Sequence, residues 1–369
     1  MKTQESSYSD VRPNVHILAA VPGSRGRAAC RASVLCGLMF IGLLSACLPQ
    51  VVSDAFSPGD LKAPSVRCWD SSGPGEFLVD FDEDVLASSG DFAADPDLGG
   101  LEVSSEGRRV RITASGLLTP GSALSLEGTV RDAAGNSTSF VLPFWAYNPD
   151  LPRVLLNEAL TQGSSTHPDL VELAVLESGN LAGLTFRVGC AAKQILVYVF
   201  PACEVSAGEY AVLHLKAQGI PEELDETGDT ASSGGLDAYP YSRDFWYRGG
   251  DGALPGENGL MTLYRSPTGP VLDALLYSAR TSASDTKYGG FGTQSLWDQA
   301  RAVVAEGAWR ITGSEVRPED AARSEGITST RTICRSSDSG DTDSGSDWHV
   351  VPTKSSTVGK PNSDAVFVP

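Results

Sequence analysis

Between residues 64 and 148 apolar side chains recur at every second position, in short runs cut by turns, and that period admits strands and little else. Phe77, Val79 and Phe81 share one face, with Asp80 and Asp82 set between Val79 and Glu83. Val110 and Ile112 alternate with Arg109 and Arg111, Leu124, Leu126 and Val130 repeat the pattern, and Val141 to Trp145 adds a closing run. Successive side chains of a strand point to opposite faces, so this spacing lines one apolar side of a sheet. Ser72-Gly73-Pro74-Gly75, Thr119-Pro120-Gly121 and Ala134-Gly135-Asn136 separate the runs, and 39 glycines and 22 prolines supply turns throughout. An antiparallel sandwich is the expected outcome.

Composition narrows the function classes. The 369 residues leave room for about two domains, and a 41% hydrophobic content excludes general disorder. Lys and Arg total 28 against 46 Asp and Glu, a net charge of −18. Nucleic-acid binding needs cations to displace counterions from phosphates, so no nucleic-acid partner is expected. The four histidines form no H-x-x-x-H or H-E-x-x-H pattern, and there is no G-x-S-x-G, no phosphate-loop lysine and no C-x-x-C. His214 reads as a strand residue, and Gly249 to Gly252 as a loop. The chain is expected not to be an enzyme, with no catalytic residue and no cofactor beyond a covalent lipid.

The N-terminus carries an export pattern. Arg25, Arg27 and Arg31 precede Ser33 to Ala46, fourteen residues without a charge. That run is short for a membrane span of about 20 residues but suits the apolar core of a signal peptide. It closes on Leu44-Ser45-Ala46-Cys47, which resembles the bacterial lipobox. The resemblance implies cleavage before Cys47, a diacylglycerol thioether on its sulfur and N-acylation of the new terminus. Residues 1–46 are then the signal peptide and 47–63 a lipidated tether. Cleavage removes five cations (Lys2, Arg12, Arg25, Arg27, Arg31) and two anions (Glu5, Asp10), leaving a more acidic body that only the lipid holds at a membrane.

Phe77-Leu78-Val79-Asp80-Phe81-Asp82-Glu83-Asp84-Val85, Leu118-Thr119-Pro120-Gly121 and Val130-Arg131-Asp132-Ala133-Ala134-Gly135-Asn136 resemble a bacterial Ig-like domain of surface proteins, over residues 64–148. Such domains act as spacers or adhesive modules. The acidic run Asp80 to Asp84 has two readings, a solvated strand edge or a calcium site. Asn148-Pro149-Asp150-Leu151-Pro152 then marks a boundary, because its prolines cannot donate to a ladder and turn the preceding residues away from helix.

Beyond it come Val154-Leu155-Leu156-Asn157-Glu158, Asp169-Leu170-Val171-Glu172-Leu173, Gly179 to Phe186, Gly208-Glu209-Tyr210-Ala211-Val212 and finally Gly359-Lys360-Pro361-Asn362. In that order they resemble the lamin-tail domain, an Ig-like sandwich, and Arg243-Asp244-Phe245-Trp246-Tyr247 looks most like the lamin-tail lipoproteins of spirochaetes. The resemblance spans 152–362, with an insertion at about 278–335. The fold class implied is all-β: two Ig-like β-sandwich domains in tandem, the second with a helical insertion. In that insertion Leu296, Ala300 and Val303 fall at helical spacing. Ser295 is placed to cap the helix and Gly307 to end it, and a sheet edge or open end is the expected cover.

Three sets of side chains are singled out for chemistry. Cys47 is the lipidation site. Asp244, Trp246, Tyr247 and Arg248 form a candidate contact patch for a protein or glycan partner, since aromatic and Arg side chains favour interfaces, and a core position for the Trp competes with that reading. Asp338, Asp341, Asp343 and Asp347 lie along ten small residues and are candidate ligands for a weak Ca²⁺ site, in competition with a plain solvated linker. Cys68, Cys190, Cys203 and Cys334 allow three full disulfide pairings. A hairpin over Leu184–Val188 and Gln194–Phe200 would hold Cys190 and Cys203 apart.

The function expected is that of a membrane-anchored cell-envelope lipoprotein, exported to the periplasmic or outer-membrane face. It would act as a non-catalytic binding or structural module through its lamin-tail domain. The alternative is a surface-displayed adhesin or host-ligand binder.

Overall fold

The computed structural model describes residues 60–250 and 252–368, so Cys47 and the expected signal peptide at 1–46 lie outside the described residues. Within them the chain is mostly β, with several antiparallel sheets and one α-helix.

The N-terminal unit has seven strands: β1 (Val66–Gly73), β2 (Glu76–Phe81), β3 (Phe92–Asp95), β4 (Leu101–Glu106), β5 (Arg109–Ala114), β6 (Ala123–Arg131) and β7 (Ser137–Trp145). They form a four-stranded sheet ordered β1-β2-β5-β4 and a three-stranded sheet ordered β3-β6-β7. The alternating residues meet where the period puts them: Phe77, Val79, Phe81, Val110, Ile112, Leu124, Leu126 and Phe144 share one buried cluster. The Trp69 indole donates to the Pro143 carbonyl at 2.6 Å, tying β1 to the second sheet.

The C-terminal unit continues with β8 (Val154–Leu160), β9 (Leu170–Val175), β10 (Gly179–Asn180), β11 (Thr185–Cys190), β12 (Lys193–Val199), β13 (Glu204–Val205) and β14 (Tyr210–His214). Then follow β15 (Arg243–Trp246), β16 (Asn258–Tyr264), β17 (Val271–Ser278), the helix α1 (Gln294–Ala305), β18 (Ala322–Arg323), β19 (Ile333–Arg335) and β20 (Trp348–Val350). A six-stranded sheet runs β15-β14-β9-β8-β19-β20 and a five-stranded sheet β12-β11-β16-β17-β18, with β10 and β13 paired separately. Leu156, Leu173, Leu213, Phe245 and Ile333 from the first sheet share a core with Phe186, Met261, Leu263 and Leu275 from the second.

One ion pair crosses that core. Arg335 on β19 and Asp273 on β17 are each 1% exposed, with Nη2 and Oδ1 2.8 Å apart. Arg335 Nε donates to the Leu156 carbonyl at 2.7 Å, and Asp273 Oδ2 accepts the Leu156 amide at 2.7 Å. The register of β8 skips a residue between Leu156 and Glu158, and these two bonds take up the backbone groups of Leu156 beside that bulge. Burial pushes the Asp273 carboxyl up, to about 7, while the Arg335 guanidinium pulls the other way.

α1 forms where the apolar spacing put it, but its start and its place differ from expectation. Thr293, not Ser295, is the cap: its hydroxyl accepts the Leu296 amide at 3.2 Å. Gly307, at φ 81°, follows its C-terminus. The helix lies against β11 and β16, interior strands of the five-stranded sheet, so it covers a face rather than an edge or open end. Gly189 on β11 is required by the hairpin beneath the helix, because a Cβ there would stand 2.3 Å from the Lys193 carbonyl of β12; it would also stand 3.1 Å from the Gln299 side-chain amide of α1.

The two units touch closely beside the 148–152 link. Asn148 Nδ2 donates to the carbonyls of Asn180 and Ala182 at 2.7 and 2.9 Å, and the Arg265 guanidinium sits 4.0 Å over the Tyr147 ring. Gly121 and Gly183 meet so closely that a Cβ on Gly121 would stand 2.7 Å from the Gly183 nitrogen. Asp70 accepts from the hydroxyls of Ser266 and Thr268 at 3.2 and 3.3 Å, and burial pushes its carboxyl up.

Two outcomes follow from these contacts. Arg335→Ala strips a buried pair of one partner and should lower stability by about 3–5 kcal/mol in denaturant melts. Arg335→Lys should recover little of it, since an ammonium lacks the planar fork. Asn148→Ala leaves two partly or wholly buried carbonyls without a donor, costs about 1–3 kcal/mol, and should speed protease cleavage within 148–152.

Candidate functional site

Every residue of β8 and β9 is buried, so the six-stranded sheet is covered on its far face as well as on its core face. The strand register places one row of side chains across that far face: Asp244, Val212, Glu172, Glu158, Cys334 and His349, one from each strand in turn. Their chain neighbours Phe245, Leu213, Leu173, Ala159, Ile333 and Val350 point into the core. Two segments cover the row, one at about 225–242 and a strap at 356–362.

The strap is bound to the two glutamates. Glu158 accepts from the hydroxyls of Thr332, Ser356 and Thr357 and from the Thr357 amide. Glu172 accepts from the Asn157 side-chain amide at 2.7 Å and from the Gly359 amide. Asn362 closes the set, giving its NH₂ to the Asn157 side-chain oxygen at 3.0 Å and to the Arg335 carbonyl at 2.9 Å. Asn157, Glu158, Glu172, Gly359 and Asn362, the separated residues of the family-like pattern, are therefore one hydrogen-bonded group. Each acceptor is occupied by the chain itself, so the group holds backbone in place.

At one end of the row Cys334 Sγ lies 3.7 Å from His349 Nε2, which is also 2.7 Å from the Ser363 carbonyl. Burial pushes the Cys334 thiol up, so it stays neutral and is a poor nucleophile. At the other end His214 Nε2 meets Asp244 Oδ1 at 2.9 Å, both nearly sealed. The His214 ring stacks on Trp246 with centroids 4.0 Å apart. Parallel pairing of β14 with β15 builds this contact across 30 positions, a partner that no local spacing announces.

The expected contact patch is corrected by this arrangement. Asp244 and Trp246 are 1% and 2% exposed: the carboxylate serves His214 and the Tyr239 amide, and the indole donates to Ser233. Tyr247 packs half-buried against the main core. Arg248 pairs with Asp225 at 3.0 Å and donates to the Glu223 carbonyl. Alternation along β15 turns Asp244 and Trp246 to the covered far face and Phe245 to the core, so neither Asp244 nor Trp246 is presented to solvent.

The expected calcium ligands also divide. Asp341 lies 3.1 Å and Asp347 3.6 Å from Arg335 Nη1, so the cation on which they converge is this chain's own guanidinium. Asp347 further accepts from Thr342 and Ser344. Asp338 accepts the Gly340 amide, and Asp343 faces Arg310 at 3.6 Å. The four do not gather around one point. In the Asp80–Asp84 run, Asp80 takes both Arg109 nitrogens at 2.7 and 2.8 Å, and Asp82 pairs with Lys62. Among the described residues, Asp60, Glu83 and Asp132 are the set whose carboxylate oxygens approach within 4.8 Å of one another. Asp132, the first residue of D-x-x-G-N, is already engaged there by Asn136. Cys68, Cys190, Cys203 and Cys334 are all free thiols; Cys190 sits at the turn of the β11–β12 hairpin and Cys203 lies past the far end of β12.

Residues 152–350 match a family model described as "protein second domain". An uncharacterized protein of Treponema pallidum (strain Nichols) is 31% identical over 194 residues, covering 52% of this chain and 49% of that protein. The chain thus spans about half the length of this relative. Among solved structures, the N-terminal part of the bacterial S-layer protein SbsC aligns at TM-score 0.23 and 20% identity, covering 34% of this chain and 35% of that one. SbsC domains 1–6 align at TM-score 0.23 and 13% identity, covering 60% and 42%. Scores this low carry no argument about fold or function. The family match, by contrast, takes in more than half of the sequence and the whole of the six-stranded sheet, and the chain belongs to the family that this second-domain model describes.

Proposed function

We propose that the protein is an exported, lipid-anchored cell-envelope protein. In this reading an Ig-like sandwich acts as spacer, and a lamin-tail domain at 152–362 is a non-catalytic binding or structural module. The observation that carries the lamin-tail reading is the closure of Asn157 onto Asn362 across 205 positions, with Glu158, Glu172 and Gly359 in the same network. Residues that mark a family only in their order have, here, a shared physical task. The export reading rests on Arg25 to Arg31, the uncharged run Ser33 to Ala46, and Cys47 placed directly after it.

The anchor sets the mechanism. Two or more acyl chains give a stable attachment where one is marginal, and an acidic body adds no attraction of its own to anionic headgroups. The lipid therefore positions two stacked β units at a membrane surface. The loops at the sandwich ends then present side chains to a protein or glycan, with no nucleic acid and no cofactor other than the lipid.

Cys47→Ser should abolish incorporation of labelled palmitate and leave an unprocessed precursor in whole-cell extracts. Normal labelling of that variant would end the proposal. Protease shaving of intact cells separates the two envelope placements: cleavage of the wild-type chain assigns the outer face, as an adhesin requires, and protection assigns the periplasmic face.

A further inference from the structure

The strap at 356–362 is fastened to two carboxyl groups that face each other. Glu158 and Glu172 are direct neighbours across β8 and β9 and are both 0% exposed. Neither has a cationic hydrogen-bond partner among the described residues. Like charges directly opposite on adjacent strands repel, and two carboxylates that share a buried site do not both ionise at the ordinary value.

The donors separate their roles. Glu158 receives three hydroxyls and an amide, whereas Glu172 receives one backbone and one side-chain amide. Burial first, and the Glu158 charge second, hold the Glu172 carboxyl well above the usual carboxylate range. The other titratable groups facing Glu172 are Tyr210 on β14 and Tyr239 on the covering segment, which both feel its charge. Beyond them lie Asp244 on β15 and Cys334 on β19. The imidazoles on this face, His214 on β14 and His349 on β20, meet Asp244 and Cys334 and not Glu172. Lys360 of the strap points toward the Tyr241 ring, 5.8 Å from its centroid.

We propose that the Glu158–Glu172 pair makes the strap a pH-sensitive latch, closed while the pair keeps one proton and loosened when both carboxyls are ionised. What the latch covers is specific: Val358 of the strap packs with Leu160, Leu170 and Val212 on the far face, and Cys334 Sγ lies 4.0 Å from the Ser363 carbonyl just past it. The sign follows from linkage. Folding raises the Glu172 carboxyl, so the folded chain keeps a proton that the unfolded chain releases near the ordinary carboxylate value. The strap is firmest below that value and weakens as pH climbs toward the folded one.

Cys334 is a built-in reporter. Its rate of modification by a maleimide, resolved by peptide mass spectrometry, is to be compared between the full wild-type chain and Glu172→Gln at matched pH, which cancels the ionisation of the thiol itself. The ratio of wild type to variant should start near one at about pH 5 and rise roughly tenfold or more toward about pH 9, one decade for each 1.4 kcal/mol of strap stability lost. A ratio that stays flat overturns the latch. Should Glu172→Gln fail to fold, the wild-type chain still decides: the Thr357 and Gly359 amide signals must titrate together with the Glu172 carboxyl carbon, and independent titration overturns the proposal.

Discussion

A guanidinium enclosed in an apolar sandwich cannot shed its proton, and the environment of Arg335 is built around that constraint. Asp273 meets it from the opposite sheet, Asp341 and Asp347 from the loop that follows β19, and the Leu156 and Gly340 carbonyls take further donors. The Trp348 ring lies 4.6 Å beneath it. Isolated buried charge is costly unless it is paired and hydrogen-bonded. The loop 336–347 consequently has little freedom to fold elsewhere, and the five- and six-stranded sheets are joined at one point by a contact with a fixed direction. Apolar packing alone is non-directional. The ion pair adds the registry between sheets that Leu, Val and Phe side chains do not specify by themselves.

Polarity on the other face of the six-stranded sheet follows a related rule. A sheet buried on both sides must satisfy every polar group it carries from within, and here the satisfying groups come from segments remote in sequence. Glu158 and Glu172 collect the strap, and Asp244 collects His214 and the Tyr239 amide. The far face is therefore a second interior, organised by hydrogen bonds where the first is organised by apolar contact.

Much of the secondary structure was legible from periodicity. Phe77 to Phe81, Val110 to Ile112, Leu124 to Val130 and Val141 to Trp145 are β2, β5, β6 and β7, because one face of each packs and the other is wet. The spacing of Leu296, Ala300 and Val303 located α1, while its cap was misplaced by two residues because serine and threonine both suit that role. The site was less legible. Charged side chains read as surface by composition, yet Arg335, Asp273, Glu158 and Glu172 are interior, each stabilised by partners tens to hundreds of positions away. The same blindness sent Asp244 and Trp246 to the surface: a parallel pairing between β14 and β15 leaves no local trace. The acidic run at 338–347 was read either as a solvated linker or as a weak calcium site, and both readings missed that Asp341 and Asp347 serve Arg335, which lies three residues upstream of the run.

The bond between Asn157 and Asn362 also bears on how the unit is made. Contacts that span some 200 positions are costly in loop-closure entropy and form late, and the strap donors lie downstream of every strand they close over. Until the strap docks, Glu158 and Glu172 on the far face of β8 and β9 have only Thr332 and Asn157 as donors and lack those of Ser356, Thr357 and Gly359. Closure of the far face is then tied to a contact made across 205 positions and not only to the pairing of the strands beneath it.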